Sequence, residues 1–185
     1  PLDERSETDS TDADEDAMAF PILIDTKRLH ARIDELAREV QERYEDPLLV
    51  AVLEGARPFA RAICERIGRA PDAYESMRLR SYEGTESSGS IRILQDLEAS
   101  VAGRDVLILE DIVDTGRTID FLRRELHERG ARCADVYTLL SKPSRRIVEV
   151  PLQGVGFEIP DEFVIGFGMD LDERYRTLPY VAIWS

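Results

Sequence analysis

The sequence predicts a single α/β domain with a mostly parallel central sheet, helices on both faces and a small hood made partly from the C-terminal segment. Three stretches carry this prediction because each is expected to form a core strand: residues 48–53, 106–109 and 132–140. The first two are followed by a glycine-containing polar loop and then by apolar residues at helical spacing. Strands that alternate with helices are typical of parallel sheets, whose ligands bind at the carboxyl ends of the strands.

The remaining elements follow in chain order from spacing and from residues that end helices or form turns. The predicted elements before the centre are a helix from Asp25 or Thr26 to about Arg43, the strand 48–53, a helix ending at Gly68, and strands over 72–82 and 91–94. A Ser- and Gly-rich segment over 81–90 is expected to be a long hairpin loop between the last two strands.

The acidic N-terminus marks a boundary in the chain. Residues 1–17 hold eight acidic residues and one arginine, which gives −7 of the formal net charge of −14. We expect these residues to be a disordered tail and residues 18–185 to form one domain. We interpret the tail as a solubilising extension, with a regulatory role as the alternative. The acidity argues against nucleic acid as a partner, because phosphates would be repelled.

Other features of the composition favour a cytoplasmic protein. The sequence contains no apolar run long enough to span a membrane and no visible signal peptide, so we expect no membrane partner. Cys64 and Cys133 fall on a helical and a strand-like pattern respectively. We expect both to be small core residues rather than a disulfide, which fits a reducing compartment.

The most informative stretch spans residues 106–120 and predicts an anion site. Its apolar strand is followed by two acids, two apolar residues, a polar loop and a helix: Glu110, Asp111, Ile112, Val113, Asp114-Thr115-Gly116-Arg117-Thr118, then Ile119, Leu122 and Leu126. The first N–H groups of a helix have no partner within it, and Gly116 lets a phosphate approach the backbone closely. Thr115 and Thr118 add hydroxyl donors, and Arg117 adds charge.

The acid pair Glu110 and Asp111 needs a cationic or hydroxyl-rich partner. Two carboxylates at the end of a buried strand repel each other and lose hydration. Neighbouring side chains on a strand point to opposite faces, so we expect one of them to face the ligand directly. A ligand with a phosphate, vicinal hydroxyls and bound Mg²⁺ would satisfy both loop and pair. The alternative is a generic strand–turn–helix whose acids face water.

This stretch resembles the phosphoribosyl pyrophosphate (PRPP) binding motif of type I phosphoribosyltransferases. The resemblance implies their fold and a set of roles for the loop. Thr115, Gly116, Arg117 and Thr118 would hold the 5′-phosphate, and Glu110 and Asp111 would hold the ribose hydroxyls and the metal region. Asp114 would be the catalytic residue, because in the family it lies beside the base as general base or hydrogen-bond partner of the purine N7.

Lys142 is expected to select the base. Of 24 basic residues only two, Lys27 and Lys142, are lysine, and Lys142 follows a strand at its carboxyl end. Its ammonium group would donate to the 6-oxo group of a purine and would discriminate against a 6-amino group, itself a donor. The alternative is a surface basic cluster with Arg145 and Arg146.

The C-terminal segment is similar to the end of the hypoxanthine–guanine branch of the family. The resemblance implies that Phe163 stacks on the purine and that the Val164 backbone meets its Watson–Crick edge. It further implies that Asp170 coordinates Mg²⁺ and that Arg176 contacts pyrophosphate. In the same branch a Ser-Tyr loop closes over the substrates and excludes water, and Ser81-Tyr82 matches it.

One position departs from the family pattern. After the first core strand the family usually has Leu-Lys-Gly, in which the lysine peptide is often cis and helps to hold pyrophosphate. Here the residues are Leu53-Glu54-Gly55. We keep the pyrophosphate role for Gly55, whose backbone is unaffected. The Glu54 carboxylate would repel pyrophosphate unless Mg²⁺ or Arg57 offsets its charge.

Taken together, the residues and the resemblance predict a purine-salvage enzyme. It would transfer the phosphoribosyl group from PRPP to N9 of a 6-oxopurine, hypoxanthine or guanine, and give IMP or GMP plus pyrophosphate with Mg²⁺ as cofactor. The alternatives are a xanthine-preferring phosphoribosyltransferase and a non-catalytic nucleotide-sensing protein on the same fold. Members of the family often form dimers or tetramers, so we expect a homodimer or homotetramer.

Overall fold

The computed structural model describes residues 20–82 and 90–184. In chain order the elements are β1 (Ile22–Ile24), α1 (Thr26–Arg43), β2 (Leu48–Leu53), α2 (Arg57–Arg66), β3 (Glu75–Tyr82), β4 (Ser90–Gln95), β5 (Asp105–Val113), α3 (Arg117–Glu128), β6 (Cys133–Ser141), a 3₁₀ turn (Pro143–Arg145), β7 (Gly154–Glu158), β8 (Val164–Ile165) and β9 (Val181–Ile183). The acidic tail, residues 1–17, lies outside the described residues.

A six-stranded sheet of order β4-β3-β2-β5-β6-β7 forms the centre of the fold. The neighbouring strands β3, β2, β5, β6 and β7 are parallel to one another. The edge strand β4 is antiparallel to β3. The predicted mostly parallel sheet is therefore confirmed. The parallel register brings the carboxyl ends of β2, β5, β6 and β7 to one edge, where the loops that carry polar residues begin.

The helices cover both faces of this sheet, as predicted. The Asp25 side chain caps α1 by accepting a hydrogen bond of 2.9 Å from the Arg28 N–H. The apolar stripes of α1 and α2 pack on one face together with Leu49 and Leu107. The stripe of α3 packs on the other face, and its buried residues are the predicted ones: Ile119, Leu122 and Leu126.

A second, three-stranded antiparallel sheet of order β1-β9-β8 forms the hood. The predicted contribution of the C-terminal segment is confirmed, and β1 from the other end of the described chain completes the sheet by pairing with β9. Ile165, Leu178 and Ala182 form a small separate core in the hood. The Phe163 carbonyl accepts a hydrogen bond of 2.8 Å from the Trp184 N–H, which fixes the start of β8 against the chain after β9.

Two boundaries differ from the prediction. β5 continues through the acid pair to Val113, because its ladder with β6 extends to the pair Val113–Ser141. Ser81 and Tyr82, which end the predicted strand over 72–82 and also begin the predicted hairpin loop, belong to β3, where they pair with Ile91 and Ser90 of β4. The rest of the predicted loop, residues 83–89, lies outside the described residues.

The two cysteines agree with the expectation that they form no disulfide. Cys64 is buried and Cys133 is half-buried, and both are free thiols. Burial raises the pKa of the Cys64 thiol, which favours its neutral form. Across residues 20–82 and 90–184, every helix falls short of the length and apolarity that a membrane crossing would require.

Candidate active site

A cleft of about 610 Å³ opens at the carboxyl edge of the central sheet, between the strand ends and the hood. Its lining combines charged groups from several loops with one exposed aromatic ring: Asp111, Ile112, Asp114, Lys142, Arg145, Asp161, Phe163, Val164, Met169 and Asp170. Six of these were predicted as site residues, namely Asp111, Asp114, Lys142, Phe163, Val164 and Asp170. The fold brings them together although they are up to about sixty positions apart in the sequence.

The loop after β5 lines a smaller cavity of about 100 Å³ at the start of α3. Thr115, Gly116 and Thr118 are part of its lining, whereas the Arg117 side chain is exposed and lies outside it. Gly116 adopts φ 84°, a left-handed conformation that favours glycine. A Cβ there would also lie 2.2 Å from the Val148 carbonyl oxygen. The protein's own packing therefore requires glycine at this position, in addition to any need for close approach of a ligand.

Glu110 and Asp111 point into two different cavities, as expected for neighbours on a strand. Asp111 lines the large cleft and Glu110 lines the small one. Glu110 is only 7% exposed, and its Oε2 atom has no hydrogen-bond partner among the described residues. Burial raises the pKa of Glu110 well above its usual range, and the adjacent Asp111 charge raises it further. Burial also raises the pKa of Asp111.

Lys142 and Phe163 lie on the walls of the large cleft. Lys142 is only 8% exposed, so its ammonium group is held at the cleft rather than on the protein surface. Its backbone N–H donates to the Val113 carbonyl at 3.0 Å, which ties the end of β6 to the end of β5. The Phe163 side chain is 50% exposed, which leaves a ring face open to a flat ligand.

Two charged residues of the cleft, Arg145 and Asp161, were missed as site residues. Arg145 Nε lies 3.0 Å from Asp114 Oδ1, and Arg145 Nη1 lies 3.6 Å from Asp161 Oδ2. The Lys142 Nζ atom lies 3.9 Å from the other oxygen of Asp161. The interpretation of Arg145 as part of a surface cluster is therefore incomplete. Its position in the turn that follows a parallel strand was the available signal.

The predicted pyrophosphate residues Gly55 and Arg176 lie close to two of the predicted metal residues, Asp111 and Asp170, whereas the third, Glu110, lines the small cavity. The Leu53–Glu54 peptide is cis. A Cβ on Gly168 would lie 2.1 Å from the Gly55 carbonyl oxygen, so the two glycines are in close contact. Arg176 Nη2 lies 2.9 Å from Asp170 Oδ1, and Arg176 Nη1 donates to the Gly168 carbonyl at 2.8 Å.

The Glu54 carboxylate is neutralised by arginines. Its Oε2 atom lies 3.2 Å from Arg57 Nη2, and its Oε1 atom forms an ion pair with Arg78. The predicted offset by Arg57 is therefore present, and Arg78 of β3 adds a second positive charge. Glu54, Arg57 and Arg176 line a neighbouring cavity of about 410 Å³.

The arrangement can bind a phosphorylated sugar and a flat base side by side. Phosphate donors and hydroxyl acceptors lie at the start of α3, an aromatic face and an ammonium group lie at the hood, and arginines lie near β2. Within the described ranges, no three His, Cys, Asp or Glu side chains are grouped as a ready-made metal site.

Comparison with known families agrees with this geometry. A family model for the phosphoribosyl transferase domain matches residues 23–173. The chain belongs to the phosphoribosyltransferase family. The matched range includes the acid pair, the loop at α3 and every residue that lines the large cleft, Lys142 among them.

Individual relatives of this phosphoribosyltransferase are similar over most of its length. It is 42% identical over 166 residues to the hypoxanthine phosphoribosyltransferase of Salmonella typhimurium, with 87% of this chain and 93% of that protein covered. It is 46% identical over 168 residues to the bifunctional protein TilS/HprT of Listeria monocytogenes. That match covers 88% of this chain but only 25% of the Listeria protein, so the chain spans about a quarter of that relative.

A solved structure supports the fold. The hypoxanthine phosphoribosyltransferase of Trypanosoma cruzi, in complex with the product IMP, has a TM-score of 0.78 and 33% sequence identity to this chain. The similarity covers 89% of this chain and 93% of the Trypanosoma chain. The type I phosphoribosyltransferase fold predicted from the sequence is thereby confirmed.

Proposed function

We propose that this phosphoribosyltransferase transfers the phosphoribosyl group of PRPP to N9 of hypoxanthine or guanine, giving IMP or GMP and pyrophosphate. The observation that carries the proposal is the buried Lys142 at the wall of the cleft that also holds Phe163 and Asp114. The names of the Salmonella and Trypanosoma relatives support the same substrate class.

The base would be selected by Lys142 and held by Phe163. An ammonium group offers three donors and no acceptor, so it pairs with a 6-oxo group and leaves a 6-amino group without a partner. Rejection by a buried polar group of this kind is strong, because the group loses its hydrogen bond when the wrong base binds. The half-exposed Phe163 ring would stack on the purine, and the Val164 backbone would meet its Watson–Crick edge.

The 5′-phosphate would bind in the small cavity at the start of α3. Backbone N–H groups there, with the hydroxyls of Thr115 and Thr118, suit phosphate oxygens. Glu110, whose Oε2 atom lacks a partner among the described residues, would accept a hydrogen bond from a ribose hydroxyl, as would Asp111. Arg176 and the Gly55 backbone would meet the pyrophosphate at the other end.

The donor set fits Mg²⁺. This ion prefers oxygen ligands and is usually bound through one or two carboxylates together with substrate phosphates. Asp111 and Asp170 both line the large cleft, and two carboxylates of this kind need no third protein ligand. When bound, the ion would neutralise charge that develops on the leaving pyrophosphate.

The residues of the chain would position the two substrates and accept a proton from the base. As the bond from ribose C1′ to pyrophosphate oxygen breaks and the bond to purine N9 forms, the base must lose a proton. Asp114 would accept it at N7 or hold N7 by a hydrogen bond. Lys142 would stabilise the negative charge on the 6-oxo group, and Arg176 the charge on pyrophosphate. The lid role of Ser81 and Tyr82 stays a prediction, because residues 83–89 lie outside the described residues.

The deciding experiment is a spectrophotometric assay with PRPP, Mg²⁺ and one base at a time. We expect turnover with hypoxanthine or guanine and none with adenine. Turnover with xanthine alone would retain the mechanism and change the substrate. Absence of turnover with every base, while PRPP or IMP still binds in a calorimetric titration, would favour the nucleotide-sensing alternative.

Three further expectations remain predictions and have direct tests. A homodimer or homotetramer would give two or four times the chain mass of 21.0 kDa in light scattering. A cytoplasmic location would appear in cell fractionation. Removing residues 1–17 would leave turnover and stability unchanged if the acidic tail is a solubilising extension.

A further inference from the structure

Two consecutive arginines hold Asp114 from the turn after β6. Arg146 Nε donates to the Asp114 carbonyl at 3.0 Å, and its Nη2 atom donates to the Ser141 hydroxyl at 2.9 Å. Arg145 Nε donates to the Asp114 carboxylate at 3.0 Å. The backbone and the side chain of the same residue are therefore fixed by neighbouring positions of one short turn.

Arg145 is itself held from a second side. Its Nη1 atom lies 3.6 Å from Asp161, in the turn that precedes Phe163. Asp161 also lies 3.9 Å from the ammonium group of Lys142. The charges alternate along Asp114, Arg145, Asp161 and Lys142, so the four side chains form one connected row along the cleft.

This row is a weak source of stability. The side chains of Asp114, Arg145 and Asp161 are 38%, 48% and 53% exposed, and ion pairs with this exposure contribute little to stability. A role in orientation accounts better for the arrangement. Arg145 contacts a single oxygen of Asp114, Oδ1, which leaves the second oxygen for a hydrogen bond with a purine.

We propose that Arg145 is a positioning residue that aims the Asp114 carboxylate at the base, with Asp161 as its anchor on the Phe163 side. The inference rests on the proposed function, since it requires Asp114 to act on the purine. Without Arg145, the Asp114 carboxylate can rotate away while its backbone stays held by Arg146. Removing Arg145 should therefore lower kcat, because misplacement of a reacting group by about 1 Å can slow a reaction up to about 100-fold.

The test is a double-mutant cycle between Arg145 and Asp114, measured as kcat and as KM for PRPP and hypoxanthine. Arg145→Gln is expected to lower kcat on the order of 10-fold, with KM for PRPP within about 2-fold of wild type. In the Asp114→Asn background the same change should have no further effect on kcat, because the proton-accepting carboxylate that Arg145 orients is already absent. A structural defect would instead lower kcat in both backgrounds.

Two further variants complete the design. Arg61→Gln removes the same charge from an exposed ion pair of 3.4 Å with Glu65 on α2, and should leave kcat unchanged. Arg145→Lys keeps the charge but lacks the planar fork that reaches two acids, so we expect an intermediate kcat. If Arg145→Gln does not fold, Arg145→Lys is placed in the same cycle.

The outcomes separate the two hypotheses. An unchanged kcat in the Arg145 variant, or a loss of equal size in both backgrounds, would overturn the positioning role. The proposed function would survive either result if wild type turns over hypoxanthine and Asp114→Asn is slow. An inactive wild type, by contrast, would contradict the proposed function itself.

Discussion

Gly55 is packed directly against the carboxylate of Asp111. A Cβ built on Gly55 would lie 1.8 Å from Asp111 Oδ2 and 2.6 Å from its Cγ. The loop after β2 therefore leaves space for an acid that comes from β5. The contact constrains Asp111, the member of the acid pair that lines the large cleft, and does not involve Glu110.

Gly55→Ala should consequently impair activity more than stability. The new methyl group forces the Asp111 carboxylate out of its position, and Asp111 is proposed to bind the ribose and Mg²⁺. We expect kcat/KM for PRPP to fall by about 10- to 100-fold with a small change in Tm. Steady-state kinetics and a thermal melt check both parts. Wild-type kinetics in this variant would show that the position of Asp111 is unimportant.

We expect the Glu54 carboxylate to stabilise the fold through its ion pairs with Arg57 and Arg78. Glu54→Lys would restore the family residue but place a third positive charge beside Arg57 and Arg78. Losing two half-exposed ion pairs and adding repulsion should cost about 1 kcal/mol of unfolding free energy. We expect a lower Tm in low salt. In 0.5 M NaCl the Tm should partly recover, because salt shortens the distance over which the charges repel each other.

The matched control is Glu65→Lys on α2, which removes a single exposed ion pair with Arg61. It should lower Tm less than Glu54→Lys does. Equal effects of the two changes, or no salt dependence, would contradict the role assigned to the Glu54 cluster.

Lys142 should determine the choice between 6-oxo- and 6-aminopurines. Lys142→Gln replaces a pure donor by an amide that can also accept. We expect kcat/KM for hypoxanthine to fall by about 100-fold or more while activity on adenine, relative to hypoxanthine, rises. Competition between the two bases in one assay measures the ratio directly. A loss that is equal for both bases would assign Lys142 to general binding instead of selection.

The strand–loop–helix units and most of the cleft could be predicted from the sequence. They depend on local spacing and on a motif that is continuous in the chain. Glu110 to Thr118 lie in one stretch, so their proximity follows from the chain itself. The hood was harder to predict. β1 pairs with β9 across about 160 residues, and a strand of three residues has too little pattern to indicate such a partner.

The same reasoning explains why Arg145 and Arg78 were not predicted as partners of acidic residues. Their partners, Asp114 and Glu54, are brought close only by the order of strands in the folded sheet. The end of β5 was placed too early for a related reason. Charged residues usually indicate the end of a buried strand, but here pairing with β6 continues past Glu110 and Asp111.

Part of the stability should depend on pH through Asp96. Hydrogen bonds from Arg129, at 2.7 and 2.9 Å, hold the pKa of the Asp96 carboxyl below its usual value of 3.8. Because the folded-state pKa is lowered, this stabilisation is present above the unfolded-state pKa and is lost as pH falls through the folded-state pKa. Arg129→Gln should therefore lower Tm at pH 7, and the difference from wild type should shrink below about pH 4. A Tm difference that stays constant from pH 7 to pH 2.5 would exclude this linkage.

Asp114→Asn tests the centre of the proposed mechanism. The amide keeps the size of the side chain and can still meet Arg145 through its oxygen, but it cannot accept the proton of the base. Loss of a general base typically costs 10²–10⁴ in rate, so we expect kcat to fall by about 100-fold or more. Binding of IMP should stay within about 3-fold of wild type, since phosphate, ribose and stacking contacts are made by other residues. Calorimetric titration with IMP alongside the rate assay separates the two effects. Unchanged turnover would remove Asp114 from the chemistry and leave Lys142 as the principal group acting on the base.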